Sequence, residues 1–203
     1  SAAMIDSDVH DPAQLIRIDD QLILFASAVE WSIYEFGSNR WQFMGDDIYE
    51  DGRPAWYSGT NLWAPSVFKA DADTYRLYHS AVIDEDNHRS RIGFATFDAS
   101  SFGFVPSSDF VLESESMHQP FAIDPAVFTD KDGRTWLVYG SHAAGIWMVE
   151  LDASTGFLKV APHNKTWQAS DSRFVEIANY ANYANGRGQR SENNVEAAYV
   201  YNH

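Results

Sequence analysis

The chain has 203 residues, a formal net charge of -15 and 45% apolar residues. That apolar share is enough for a core of domain size, whereas the acidic balance excludes a polyanion binder, because nucleic-acid affinity draws on Lys and Arg at phosphates. No apolar run approaches the roughly 20 residues that span a bilayer, and the lack of cysteine excludes a disulfide framework or a thiolate metal site.

In chain order, residues 10–27, 63–80 and 123–141 are three copies of one pattern, and a fourth copy begins at Val195. Each opens on a small or acidic residue and Pro, runs through an apolar strand, turns on Asp or Gly, and returns as a strand ending in Ser. The first unit predicts strands at 13–18, 22–27, 30–36 and 41–45. The second predicts 66–69, 75–80, 91–98 and 110–113, and the third 126–129, 135–141, 145–151 and a fourth strand without clear bounds. Turn residues Asp19-Asp20, Asp71-Ala72-Asp73 and Lys131-Asp132-Gly133 separate the first two strands of each unit. The next hairpins echo each other too, as Asp98-Ala99-Ser100-Ser101 and Asp152-Ala153-Ser154-Thr155. Residues 179–194, rich in Asn, Gly and Tyr, read as a long loop.

The prolines Pro12, Pro65 and Pro125 are 53 and 60 residues apart, close to the about 40 to 50 of a propeller blade. Repeated hairpins also occur in sandwiches, but regular spacing with copied internal detail favours an all-β propeller of four-stranded blades. This chain would supply about three blades and the first strand of a fourth, within a single domain over residues 1–203. Such a set leaves blade faces open, so a second polypeptide, or a second copy, is expected to complete the ring.

The repeat aligns Asp11, Ala64, Asp124 and Glu196 at one position, predicting that three carboxylates converge on the axis. Converging carboxylates raise one another's pKa and divide into a protonated acid and an ionised base. That pairing suits glycoside hydrolysis, inverting where the gap is about 6.5 to 9.5 Å and retaining near 5 to 5.5 Å. Trp63, beside the repeat position, is a candidate for sugar stacking or for packing between units. His10 is either a partner of Asp11 or an ordinary rim residue. The seven histidines show no metal-ligand spacing, and Asn164-Lys165-Thr166 fits a glycosylation acceptor to which no function is attached.

The motifs HDP at 10–12, WAP at 63–65, IDPAVF at 123–128, GSHAAGIWMVELD at 140–152 and VEAAYVY at 195–201 together resemble glycoside hydrolase family 43, in its arabinanase and exo-arabinofuranosidase branch. The resemblance implies a five-bladed propeller and an inverting mechanism. It also implies that Asp11 is the general base, that Asp124 is a third acid adjusting and orienting the general acid, and that Glu196 is that acid. Trp63, Ser141 and His142 are implied to meet substrate. Two departures stand out: Ala197-Ala198 follow the acid where the family has a small residue and then Pro, and His142-Ala143-Ala144 replace an aromatic and Ser before Gly145. The chemistry needs no cofactor. A structural calcium is implied by the resemblance, with ligands outside this chain.

The expected function is single-displacement hydrolysis of plant cell-wall α-1,5-linked L-arabinan or its oligosaccharides, by a secreted or periplasmic enzyme acting within chains or from their ends. The alternatives are a β-xylosidase or arabinofuranosidase acting on xylan, and a propeller that binds carbohydrate without turning it over.

Overall fold

The computed structural model describes residues 9–49, 52–72, 74–98, 100–160, 165–179 and 195–200. The fold is all-β. Strands β1 (Ile16–Ile18), β2 (Gln21–Ala26), β3 (Glu30–Glu35) and β4 (Arg40–Gly45) form a four-stranded antiparallel sheet in chain order. A second sheet holds β5 (Leu62–Lys69), β6 (Thr74–Asp84), β7 (Arg89–Asp98), β8 (Gly103–Pro106) and β9 (Leu112–Ser114). A third repeats the first arrangement with β10 (Ala126–Thr129), β11 (Thr135–Tyr139), β12 (Ile146–Leu151) and β13 (Val175–Ala178). The three predicted units are therefore three sheets, each starting at a copied motif.

Local chemistry explains why the units share hairpins. The Asp98 carboxylate accepts the Ser100 amide at 2.9 Å and its hydroxyl at 2.8 Å, and Asp152 holds the Ser154 amide and hydroxyl at 2.8 and 2.6 Å. The same Asp-to-Ser lock thus closes the turn after β7 and the turn after β12. In the third unit Asp130 accepts the amides of Asp132 and Arg134 at 2.9 and 3.0 Å, fixing the turn into β11.

The second sheet departs from expectation at its outer edge. Residues 110–113 were expected to be its fourth strand, yet that place is shared. β8 pairs with Ala95 to Asp98, and β9 with Ser90 to Ile92. At ten residues, β7 is long enough for two short strands to divide its edge. The unassigned fourth strand of the third unit is β13, which joins β12 across a bulge at Ile146 and Trp147. Of the 179–194 loop only Asn179 is described, and Asp73, Ala99 and Asn164 also lie outside the described residues.

The sheets are joined face to face by large apolar side chains. Phe25 of β2 meets Phe97 of β7 edge-on at 6.1 Å and Phe104 at 5.8 Å, and Trp31 reaches Phe104 at 5.2 Å. Phe25 and Phe97 are fully buried, and burial on that scale contributes about 1.5–3 kcal/mol per side chain. Between the second and third sheets, buried Arg76 donates to the carbonyls of Ala153 and Ser154, both at 2.7 Å, and the Tyr78 hydroxyl donates to Gly156 O at 2.9 Å. Phe94 packs on Phe157 in the same joint. These contacts fix the angle between units, and hence where their first residues point.

Candidate active site

The copied motifs begin with a backbone corner. Asp11, Ala64, Asp124 and Ala197 have φ of 47°, 44°, 54° and 53°, a left-handed conformation that a side chain bearing a β-carbon adopts at a cost of about 1 kcal/mol or more. Four units share this strained corner, which corrects the alignment drawn from sequence. In the fourth unit the corner residue is Ala197, and Glu196 stands one place earlier, level with His10, Trp63 and Ile123. The first and third units therefore present an acid from the corner itself, while the fourth presents it from the residue before.

Despite that offset, the three carboxylates meet. Asp11, Asp124 and Glu196 line one cleft of about 610 Å³, with His10, Trp63 and His142 in its wall. Glu85, from the β6–β7 hairpin, lines it as well; nothing in its acidic turn distinguishes it in the sequence from a solvated charge. An adjoining cavity of about 420 Å³ shares Asp11, Trp63 and Asp124 and extends past Thr60 and Asn61. Trp63 lines the cleft and also packs against Val82, Phe121 and Ile123.

Asp11 and Asp124 are each held by the serine that ends their own unit's repeat. Ser27 Oγ donates to Asp11 Oδ2 at 2.8 Å, and His10 Nδ1 approaches the same oxygen at 2.7 Å. Ser141 Oγ donates to Asp124 Oδ2. Ser141, expected at the substrate, is fully buried and turned toward that carboxylate. Its placement rests on two close-packed glycines: Gly140 has φ 109° and Gly145 φ 80°, and a β-carbon on Gly140 would strike the Gly145 carbonyl.

Asp124 is the electrostatic centre. Burial pushes its pKa up, the negative charges of Asp11 and Glu196 push the same way, and the Ser141 hydroxyl and Ala197 amide pull it down. Because the Ala197 N–H donates to the Asp124 carboxylate and the His142 N–H donates to Val195 O at 2.8 Å, the third unit grips the backbone on both sides of Glu196. His142 itself is wedged beside Phe121 and His88, at centroid distances of 6.0 and 5.6 Å. Among the described residues no group of three or more His, Asp and Glu side chains is arranged to hold a metal ion.

The pattern of Glycosyl hydrolases family 43 matches residues 5–188. This chain belongs to that family. An extracellular endo-α-(1→5)-L-arabinanase of Bacillus subtilis is 26% identical over 171 residues, covering 73% of this chain and 36% of the relative. Among solved family 43-like folds, a native arabinanase of Bacillus subtilis superposes with a TM-score of 0.63 at 27% identity, over 79% of this chain and 60% of that one. An exo-1,5-α-L-arabinanase from a bovine ruminal metagenomic library also gives a TM-score of 0.63 at 27% identity, over 76% and 53%. The chain spans less than half the length of the first curated relatives it matches, from 23 to 42% of each.

Proposed function

We propose that the protein is an inverting glycosidase of α-1,5-linked L-arabinan and its oligosaccharides, built as a five-bladed propeller of which this chain forms one catalytic domain's acid-bearing part. The observation that carries the reading is the convergence of Asp11, Asp124 and Glu196, from three repeat units, on one cleft, with Asp124 raised by burial and by its two neighbours. Asp11 accepts a proton from water as the water oxygen bonds to the anomeric carbon. The glycosidic C–O bond breaks on the opposite face, and Glu196 gives its proton to the departing oxygen. Asp124 orients Glu196 through the Ala197 amide. Trp63 offers an aromatic face to the sugar, and His142 walls the cleft beside it.

The reaction calls on no cofactor, and a structural calcium would draw its ligands from residues outside this chain. Relatives named as extracellular support secretion. They lend the second polypeptide no support. Relatives of both endo and exo kinds leave the mode of attack open, and the loops shaping the cleft ends would decide it.

Linear α-1,5-arabinan and xylo-oligosaccharides assayed side by side test this reading. Arabinan is expected to be cleaved, with Glu196→Gln slower by about 10²–10⁴-fold and still able to bind arabino-oligosaccharide. Preference for xylo-oligosaccharide, or wild-type turnover by the variant, would overturn it.

A further inference from the structure

Every complete copy of the repeat ends in serine, and none of the three has a part in the reaction proposed above. Their bonds show a shared task and an added one. Ser27 Oγ accepts the Ala64 amide at 3.0 Å, and Ser80 Oγ accepts the Asp124 amide at 3.0 Å. In each case a hydroxyl at the end of one unit ties down the strained corner of the next. In the second unit the corner residue is Ala64, so no carboxylate is there for Ser80 to hold. In the first unit Ser27 keeps the tie and also gives its single proton to Asp11 Oδ2.

The chemistry of Asp11 makes that second bond consequential. Its side chain is 43% exposed and stands at a left-handed corner, so packing alone does not immobilise it. Ser27 and His10 both engage Oδ2, at 2.8 and 2.7 Å, and Oδ1 takes no hydrogen bond from the described residues. A carboxylate pinned through one oxygen offers the other in a fixed direction, as a base that must meet a water in line with a scissile bond requires.

We infer that Ser27 is a positioning residue for the base: its hydroxyl clamps Asp11 Oδ2 to the Ala64 corner of the next unit, leaving Oδ1 to receive the proton of the attacking water. The inference rests on the hydrolase reading above. It makes the aim of the base depend on how two units pack, because the same oxygen atom of Ser27 serves both.

The test is steady-state hydrolysis of arabino-oligosaccharide by the intact protein and its Ser27→Ala and Ser27→Thr variants, with melting temperatures of these and of Ser80→Ala. Ser80→Ala loses the same kind of amide tie, so its melting shift calibrates the structural share. Ser27→Ala is expected to keep KM within about threefold while kcat falls about 10- to 100-fold. Ser27 is half-buried, leaving room for a methyl group, and Ser27→Thr is expected to restore kcat to within about threefold. An Ala variant with wild-type kcat, a loss confined to KM, or a Thr variant as slow as the Ala variant while equally folded would each overturn the role. A wild type without turnover on any glycan would instead sink the hydrolase reading, and this role with it.

Discussion

Half-buried Asp124 and fully buried His79 are both pushed toward their neutral forms, and their surroundings differ. His79 is fully buried in β6, with Nε2 2.6 Å from the Tyr49 hydroxyl and its ring stacked on Trp56 at 6.1 Å. Burial lowers its pKa to about 4. Asp124 is also shifted first by burial, but two other carboxylates add to the effect, and all three face an open cleft. A shifted pKa therefore marks a site only when charged groups from separate elements share it and a ligand can enter. At His79 burial is the main cause, the Arg53 charge adds to it, and the side chain is fully buried.

The largest expected difference between the two regions is catalytic. Asp124→Asn is predicted to lower kcat at least about 10²-fold and yet raise the melting temperature at pH 7. The sign follows from linkage: a carboxyl whose folded pKa lies above its unfolded value loses its contribution to stability as pH rises through that interval. Neutralising it removes a cost, while the Asn carbonyl still accepts from Ser141 and Ala197. A lower melting temperature would show that the cleft stores no such repulsion.

The smaller effect is at His79, and it is one of stability. A histidine whose folded pKa is depressed holds its full contribution above about 6.5 and loses it as pH falls toward about 4. Urea unfolding between pH 4 and 7 should show that loss, with a slope from this group no steeper than about 1.4 kcal/mol per pH unit. Replacing His79 by Phe should flatten the slope without altering the pH dependence of kcat. An unchanged slope would mean that His79 is not the group sensing acid.

Much of the cleft could be read from the sequence because acid and Pro recur at the opening of a strand that the fold directs inward. Asp11 and Asp124 satisfy that rule directly. The repeat also picked out Glu196, but one place out of frame, because Ala198 stands where the other units have Pro and the corner shows only as the positive φ of Ala197. The repeat serines were visible as letters, whereas their bonds were not: Ser27 to Ala64 and Ser80 to Asp124 cross between units, and spacing along one chain does not encode which neighbour is met. The same holds for Arg76 and Tyr78 on the 153–156 turn. β8 escaped because Gly103–Pro106 is four residues long and carries an exposed Val105, too little for an alternating pattern to show.

The division of labour among Asp11, Asp124 and Glu196 is tested most directly by early-time proton NMR of the anomer released from an α-1,5-linked arabino-oligosaccharide. Single displacement by water gives the β-anomer first, with the α-anomer appearing later by mutarotation. The α-anomer appearing first would mean two displacements through a glycosyl-enzyme, and would contradict a base at Asp11 working with an acid at Glu196.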